Sequence, residues 1–247
     1  MRIILSPAKK MKTDPDTLPP EQSPEFLEEA GQLLTILQGM DYDALKRLWG
    51  CSDALAKLNF DRLRHMDLQG ACTPAVLSYE GIQYQYMAPG VFTRQQLDFI
   101  REHLRILSGF YGLLRPFDGV VPYRLEMQAA LRGEGFRNLY EFWGDKLGVQ
   151  LCRETDFILN LASREYSKSV RFPLPSSGLF LTCLFGIEQN GRIMERGTRC
   201  KMARGEMVRF LAENQITKPG DIRSFDRLGY RFSKTFSTKS CYVFLQE

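Results

Sequence analysis

The chain opens on a strand that has no local partner. Arg2 to Ser6 (RIILS) is a short apolar run stopped by Pro7. The segment that follows, residues 12–24 (KTDPDTLPPEQSP), is rich in proline and acid. Proline removes an amide donor and pushes its predecessor out of the helical region. This stretch therefore reads as an extended loop and offers no second strand. Backbone donors and acceptors need partners, so residues 2–6 join a sheet built from later segments. The loop sits too near the N-terminus to separate two domains, and residues 1–247 read as a single domain.

The rest of the chain alternates between two periods. Phe26, Ala30, Leu33, Leu34 and Leu37 have helical spacing. Residues 53–65 read as a helix capped by Ser52 or Asp53. Tyr79 to Met87 is aromatic and reads as a strand. Thr93-Arg94-Gln95-Gln96 is a capping-box start, and Leu97, Ile100, Leu104 and Leu107 then line one helical face, giving a helix over 94–107. Asp156 to Ala162 (DFILNLA) reads as a buried strand. Leu179 to Glu188 and Arg192 to Arg196 flank Asn190-Gly191, the strongest short hairpin signal. Cys200 to Glu213 reads as a helix, and Tyr230 to Phe236 and Cys241 to Leu245 as closing strands. No regular βαβ period runs through this order. The expected class is α+β (mixed α/β): one mixed sheet surrounded by helices.

Several functions are excluded early. No apolar run approaches the roughly 18–20 residues of a membrane span, and the short N-terminal run broken by Pro7 is no signal peptide. The expected location is cytoplasmic, with no membrane partner. Cys51, Cys72, Cys152, Cys183, Cys200 and Cys241 are dispersed without a CxxC pair, which favours reduced thiols. His65 and His103 are the only histidines, and neither has ligand-spaced partners. No metal and no cofactor are expected.

Charge is distributed unevenly. Residues 1–90 carry nine Lys/Arg against twelve Asp/Glu, whereas residues 192–240 carry twelve against five. Such asymmetry is the usual footprint of a polyanion site, although a solvated surface has the same composition. Three segments concentrate cations. In the first, Arg105, Ser108, Gly109, Gly112 and Arg115 fit the outline of a helix-hairpin-helix, in which glycines admit a phosphate close to the backbone. An ordinary helix C-cap at Gly109 is the structural alternative. Two residues separate the glycines, where the commoner hairpin has one. On the same helix Arg94 and Arg101 share a stripe with Asp98 and Glu102, which suits salt-bridged surface. In the second, CKMARGEMVRFLAEN sets Ala203, Met207, Phe210 and Leu211 on one face and Lys201, Arg204 and Arg209 on the other. The third, Ser6-Pro7-Ala8-Lys9-Lys10, follows a strand directly, a frequent place for sites. It lacks the GxxxxGK[ST] pattern of an NTPase loop.

A catalytic cleft is the competing reading. Pro122-Tyr123-Arg124-Leu125-Glu126-Met127 packs a phenol, a guanidinium and a carboxylate together. Asn160, Ser163, Glu165 and Tyr166 follow a buried strand. Glu126 or Glu165 can serve as a general base, or either can belong to a structural ion pair. No nucleophile–base pair is recognisable.

Taken together, ILSPAK (Ile4 to Lys9), HLRILSGFYGLLRP (His103 to Pro116), PYRLEM (Pro122 to Met127), LYEFWG (Leu139 to Gly144), ILNLASREY (Ile158 to Tyr166), KMARG (Lys201 to Gly205) and GYRF (Gly229 to Phe232) resemble the YaaA family of bacterial peroxide-stress proteins. The resemblance runs in order along nearly the whole chain. It implies a compact α/β domain with a basic cleft and a helix-hairpin-helix element, and binding of double-stranded DNA with little sequence preference. It also implies a role in surviving hydrogen peroxide by limiting damage linked to free iron. By position in the matching segments, the DNA-contacting residues are Lys9, Arg105, Ser108, Gly109, Gly112, Arg115, Arg124, Lys201 and Arg204, to which the cationic patterns add Lys10 and Arg209; the expected state is a monomer. The sequence itself has no carboxylate or histidine cluster to hold iron, so any effect on iron is expected to be indirect. The alternative is an enzyme acting on a nucleotide or other phosphorylated small molecule in the same cleft.

Overall fold

The computed structural model describes residues 1–14, 16–70, 72–171 and 178–246. Its centre is an eight-stranded mixed sheet. Numbered in chain order, the strands are β1 (Arg2–Leu5), β2 (Leu104–Ser108), β3 (Gly112–Leu114), β4 (Phe157–Asn160), β5 (Leu179–Gln189), β6 (Arg192–Met194), β7 (Tyr230–Ser233) and β8 (Cys241–Gln246). They lie in the order β7-β8-β5-β4-β1-β2-β3, with β6 paired to β5. The first strand is central. Ile3 pairs with Leu104 on one side and Leu159 on the other, both parallel. β4–β5 and β5–β8 are parallel as well. The antiparallel pairs β2–β3, β7–β8 and β5–β6 flank this parallel centre. Ile3, Ile4 and Leu5 are fully buried, which explains a continuous apolar run rather than an alternating one.

The mixed-sheet class is as expected, and two local readings need correction. The helix that opens at the Thr93 capping box does form, with Thr93 and Gln96 bonded reciprocally, but it ends at His103. Leu104–Ser108 is a strand. Leu104 and Leu107 continue the helical face of Leu97 and Ile100, but the wholly buried run Leu104–Ser108 also suits a strand, and parallel pairing with β1 decides between them. The segment Tyr79 to Met87 is a strand only at Tyr79–Glu80. After Gly81 it becomes a helix, Ile82–Met87, with Gln83, Tyr84 and Met87 buried. The predicted hairpin at Asn190-Gly191 is present, with φ of 54° and 75° at the two residues.

The Ile82–Met87 helix is held by the long Gly197–Asn214 helix, which buries Ala203, Met207, Val208 and Leu211. Their backbones approach most closely at Gly205. A Cβ there would stand 1.9 Å from the Gln83 carbonyl oxygen. Gly205 therefore sets the distance between the two helices. Replacing Gly205 with Ala should lower stability by at least about 1–3 kcal/mol through overpacking. Gly197→Ala, at the open start of the same helix, should stay within about 1 kcal/mol of the parent. Urea unfolding of the two variants checks this; similar midpoints would show that the helices separate without cost.

Candidate functional site

The site follows from strand order. The chain leaves β1 for β2 on one side, and leaves β4 for β5 on the other. Neighbouring β1 and β4 thus send their following loops apart, opening a crevice at their carboxyl ends. Such switch points are where open parallel sheets bind ligands. The loop after β1 brings Ser6, Lys9 and Lys10; the loop after β4 brings Ser163, Glu165 and Tyr166. The Gly197–Asn214 helix adds Lys201 and Arg204, and the crevice measures about 340 Å³.

Its walls are tied by buried polar contacts. The Ser163 amide donates to Ser6 Oγ at 2.8 Å. The Ser6 carbonyl accepts from Gln83 Nε2 at 2.7 Å and from the Tyr84 hydroxyl at 3.0 Å. These bonds fix both loops and the Ile82–Met87 helix around one point. Charges on the walls are mixed. Lys9 Nζ lies 2.6 Å from Glu126, which Arg124 approaches at 3.7 Å. Lys10 pairs with Glu80 at 2.9 Å. Glu165 accepts from the Gln128 amide at 3.3 Å. Burial pushes the Glu165 carboxyl above the ordinary range, and the nearby charge of Glu126 adds to this. Burial likewise raises the Tyr166 phenol well above its usual value.

A second cavity of about 550 Å³ continues along the edge over β4 and β5, lined by Asn160, Phe180, Thr182 and Leu184 among others. Arg204 belongs to both cavities. Exposed Arg164 and Lys168 stand on the rim of the second. Neither they nor exposed Lys201 has a salt bridge among the described residues. Lys168 Nζ instead lies 5.0 Å from the centre of the Tyr140 ring.

Lys9, Lys10, Lys201 and Arg204 therefore come together, with Arg124 beside them through Glu126. The other expected DNA-contacting residues are elsewhere. Arg105 points to the opposite edge of the sheet, where Arg105 and Arg2 hold Glu154 at 2.6 and 2.7 Å. Arg115 clamps the fully buried Asp118 through its amide and Nε, both at 2.9 Å. Arg209 pairs with Glu213 at 2.8 Å, on which Arg227 also converges.

The helix-hairpin-helix expected over Arg105 to Arg115 does not form there. Ser108 to Gly112 is the buried turn of the β2–β3 hairpin. Ser108 Oγ accepts the Tyr111 amide at 2.8 Å and contacts the Tyr123 hydroxyl at 2.6 Å. Gly109 and Gly112 serve packing. A Cβ would meet the Leu125 carbonyl oxygen at 2.6 Å in one case and the Trp143 ring at 2.6 Å in the other, where φ is also +73°. A phosphate has no access to glycines covered in this way.

Of the residues in the enzyme reading, Glu126 and Glu165 share the crevice with Lys9. Tyr123 is buried in the Ser108–Tyr123–Tyr79 hydrogen-bond chain, and Asn160 lines the second cavity. Arg164, Lys168, Glu80 and Glu195 are additions that sequence reasoning does not supply. Arg164 and Lys168 have i, i+4 spacing directly after the β4 run, which is the signal that marks them. Among the described residues no group of three or more His, Cys, Asp or Glu side chains can hold a metal ion. Nor, among the described residues, is any helix long and apolar enough to cross a membrane.

Comparison with known proteins matches residues 1–236 to the family described as peroxide stress protein YaaA. The chain belongs to the YaaA peroxide-stress family. It is 49% identical over 246 residues to a UPF0246 protein of Lachnoclostridium phytofermentans, covering 100% of this chain and 96% of the relative. It is 50% identical to one from Desulfitobacterium hafniense, at 100% and 98% coverage. A third, from Pediococcus pentosaceus, is 48% identical at the same coverage. Membership of the YaaA family links the chain to peroxide stress.

Glu165 gives a pH prediction. Its carboxyl binds a proton more readily in the folded state than in the unfolded chain. Stability contributed by this group therefore falls as pH rises from the ordinary glutamate value of 4.5 through the raised one. Glu165→Gln keeps an acceptor for the Gln128 amide and removes the buried charge. The variant should melt above the parent at pH 7, and the gap should close below about pH 4.5. Thermal melts across that range test it; an unchanged melting temperature at pH 7 would refute the raised value.

Proposed function

We propose that this YaaA-family protein acts in peroxide stress by binding DNA along the carboxyl edge of the sheet, through phosphate contacts with little regard to sequence. The observation that carries this reading is the set of exposed cations, Arg164, Lys168 and Lys201, without salt-bridge partners among the described residues. Lys9 and Lys10 extend the same rim, each already facing a carboxylate. Unpaired cations spread along an edge suit a phosphate backbone, which supplies most non-specific affinity by releasing counterions. Protection against iron-linked damage then operates on the DNA itself.

Fluorescence anisotropy of a labelled duplex over a salt series tests the reading. Binding should saturate, and log K should fall linearly with log salt. Replacing Arg164, Lys168 and Lys201 by alanine should reduce the slope by about 0.9 for each phosphate that is no longer neutralised. Absence of binding at about 50 mM salt, where such contacts are strong, would exclude DNA as the partner.

A further inference from the structure

The two cavities meet at one side chain whose own bonding is incomplete. The Arg204 side chain is 12% exposed, and its Nε is buried with no hydrogen-bond partner among the described residues. Its salt-bridge partner is Glu195, 3.6 Å away and 44% exposed. Arg105 Nε is likewise unpartnered, but the terminal nitrogens of Arg105 reach Glu154 at 2.6 Å and the Leu104 carbonyl at 2.7 Å, whereas those of Arg204 have, among the described residues, only the long contact to Glu195. Buried donors left unsatisfied are costly and uncommon. An incoming anion would complete the bonding of Arg204, taking the place of Glu195.

The larger cavity suggests what the anion is attached to. Ala162, Val170, Phe180 and Leu184 give it apolar walls, while Asn160, the last residue of β4, and Thr182, within β5, are polar groups beside them, with Ser167 a third. Asn160 Nδ2 donates to Thr182 Oγ1 at 3.2 Å, which leaves the Thr182 hydroxyl proton and one Asn160 amide proton available. Apolar walls with a few polar groups beside them suit the faces and edge of a heterocycle, and about 550 Å³ is within the usual range for small-ligand sites. On the other side of Arg204 the crevice supplies Lys201, so the anion meets two cations.

We propose that the paired cavities bind one nucleoside monophosphate unit, with the phosphate on Arg204 and Lys201 and the base in the cavity bounded by Phe180, Leu184 and Thr182. This goes beyond duplex binding and does not depend on it. A stacked duplex keeps its backbone at the rim and cannot place a phosphate on a side chain this deeply buried. The nucleotide arrives free in solution or from an unpaired position in a strand.

Calorimetric titration of the full chain with deoxynucleoside monophosphates and with inorganic phosphate tests the site. A labelled duplex with and without one unpaired nucleotide, followed by anisotropy, identifies the source. Either a free monophosphate binds more tightly than inorganic phosphate, or the unpaired nucleotide tightens duplex binding. Arg204→Gln should weaken that interaction about tenfold or more, and Glu195→Gln should strengthen it. Because Arg204→Gln removes a poorly paired buried charge, its melting temperature should not fall, which separates a binding defect from a folding defect. The proposal is overturned if neither nucleotide source is preferred, if Arg204→Gln binds like the parent, or if Glu195→Gln weakens binding. Nucleotide binding without any affinity for paired duplex would support this site and reject the DNA reading.

Discussion

Parallel pairing of β1 on both of its edges is the constraint on which the rest of the molecule depends. Ile3, Ile4 and Leu5 have no solvent-facing side, so the strand is stable only between β2 and β4. That placement makes β1 and β4 neighbours whose following loops part company. The crevice results from strand order before any side chain is considered. Ser6 and Ser163 then lock its two lips together, and the Gly197–Asn214 helix closes it through Gly205.

Charge in this protein divides into two kinds of use. Arg2, Arg105 and Glu154 form a tight buried cluster at one edge of the sheet, and Arg115 is fixed to buried Asp118. Such groups are costly to disturb because removing one partner strands the other. At the carboxyl edge the guanidiniums of Arg124 and Arg204 have only long contacts, at 3.7 and 3.6 Å. Arginines with a short carboxylate contact belong to the framework, and arginines with only long contacts belong to the cleft. Proteins tolerate such local costs mainly where function requires them.

Much of this is legible in the sequence, and what is not has identifiable causes. The unpaired first strand, the Asn190-Gly191 hairpin, the Thr93 capping box and the two-faced helix around Lys201 and Arg204 all rest on local rules. The β2 strand reads as helix because Leu104 and Leu107 extend the face of Leu97 and Ile100, and only contact with β1 settles the matter. The helix-hairpin-helix outline fails because glycines that admit phosphate and glycines that admit a tryptophan ring look alike in sequence. Local charge counting groups Arg105, Arg115 and Arg209 with Lys9 and Arg204. Their separation depends on partners such as Glu154 and Asp118, one of them 49 positions away from Arg105 and fixed only by the fold.

The central place of β1 also orders events during synthesis. Residues 2–5 leave the ribosome well before either flanking strand, one of which begins at Leu104 and the other at Phe157. Sheets dominated by such distant pairings close slowly, because the intervening loop must be brought together before the contacts reward it. Until β2 and then β4 have emerged, this apolar strand keeps an open edge, the condition in which chains aggregate or recruit chaperones. The proline-rich loop directly behind it offers no strand with which it can mispair.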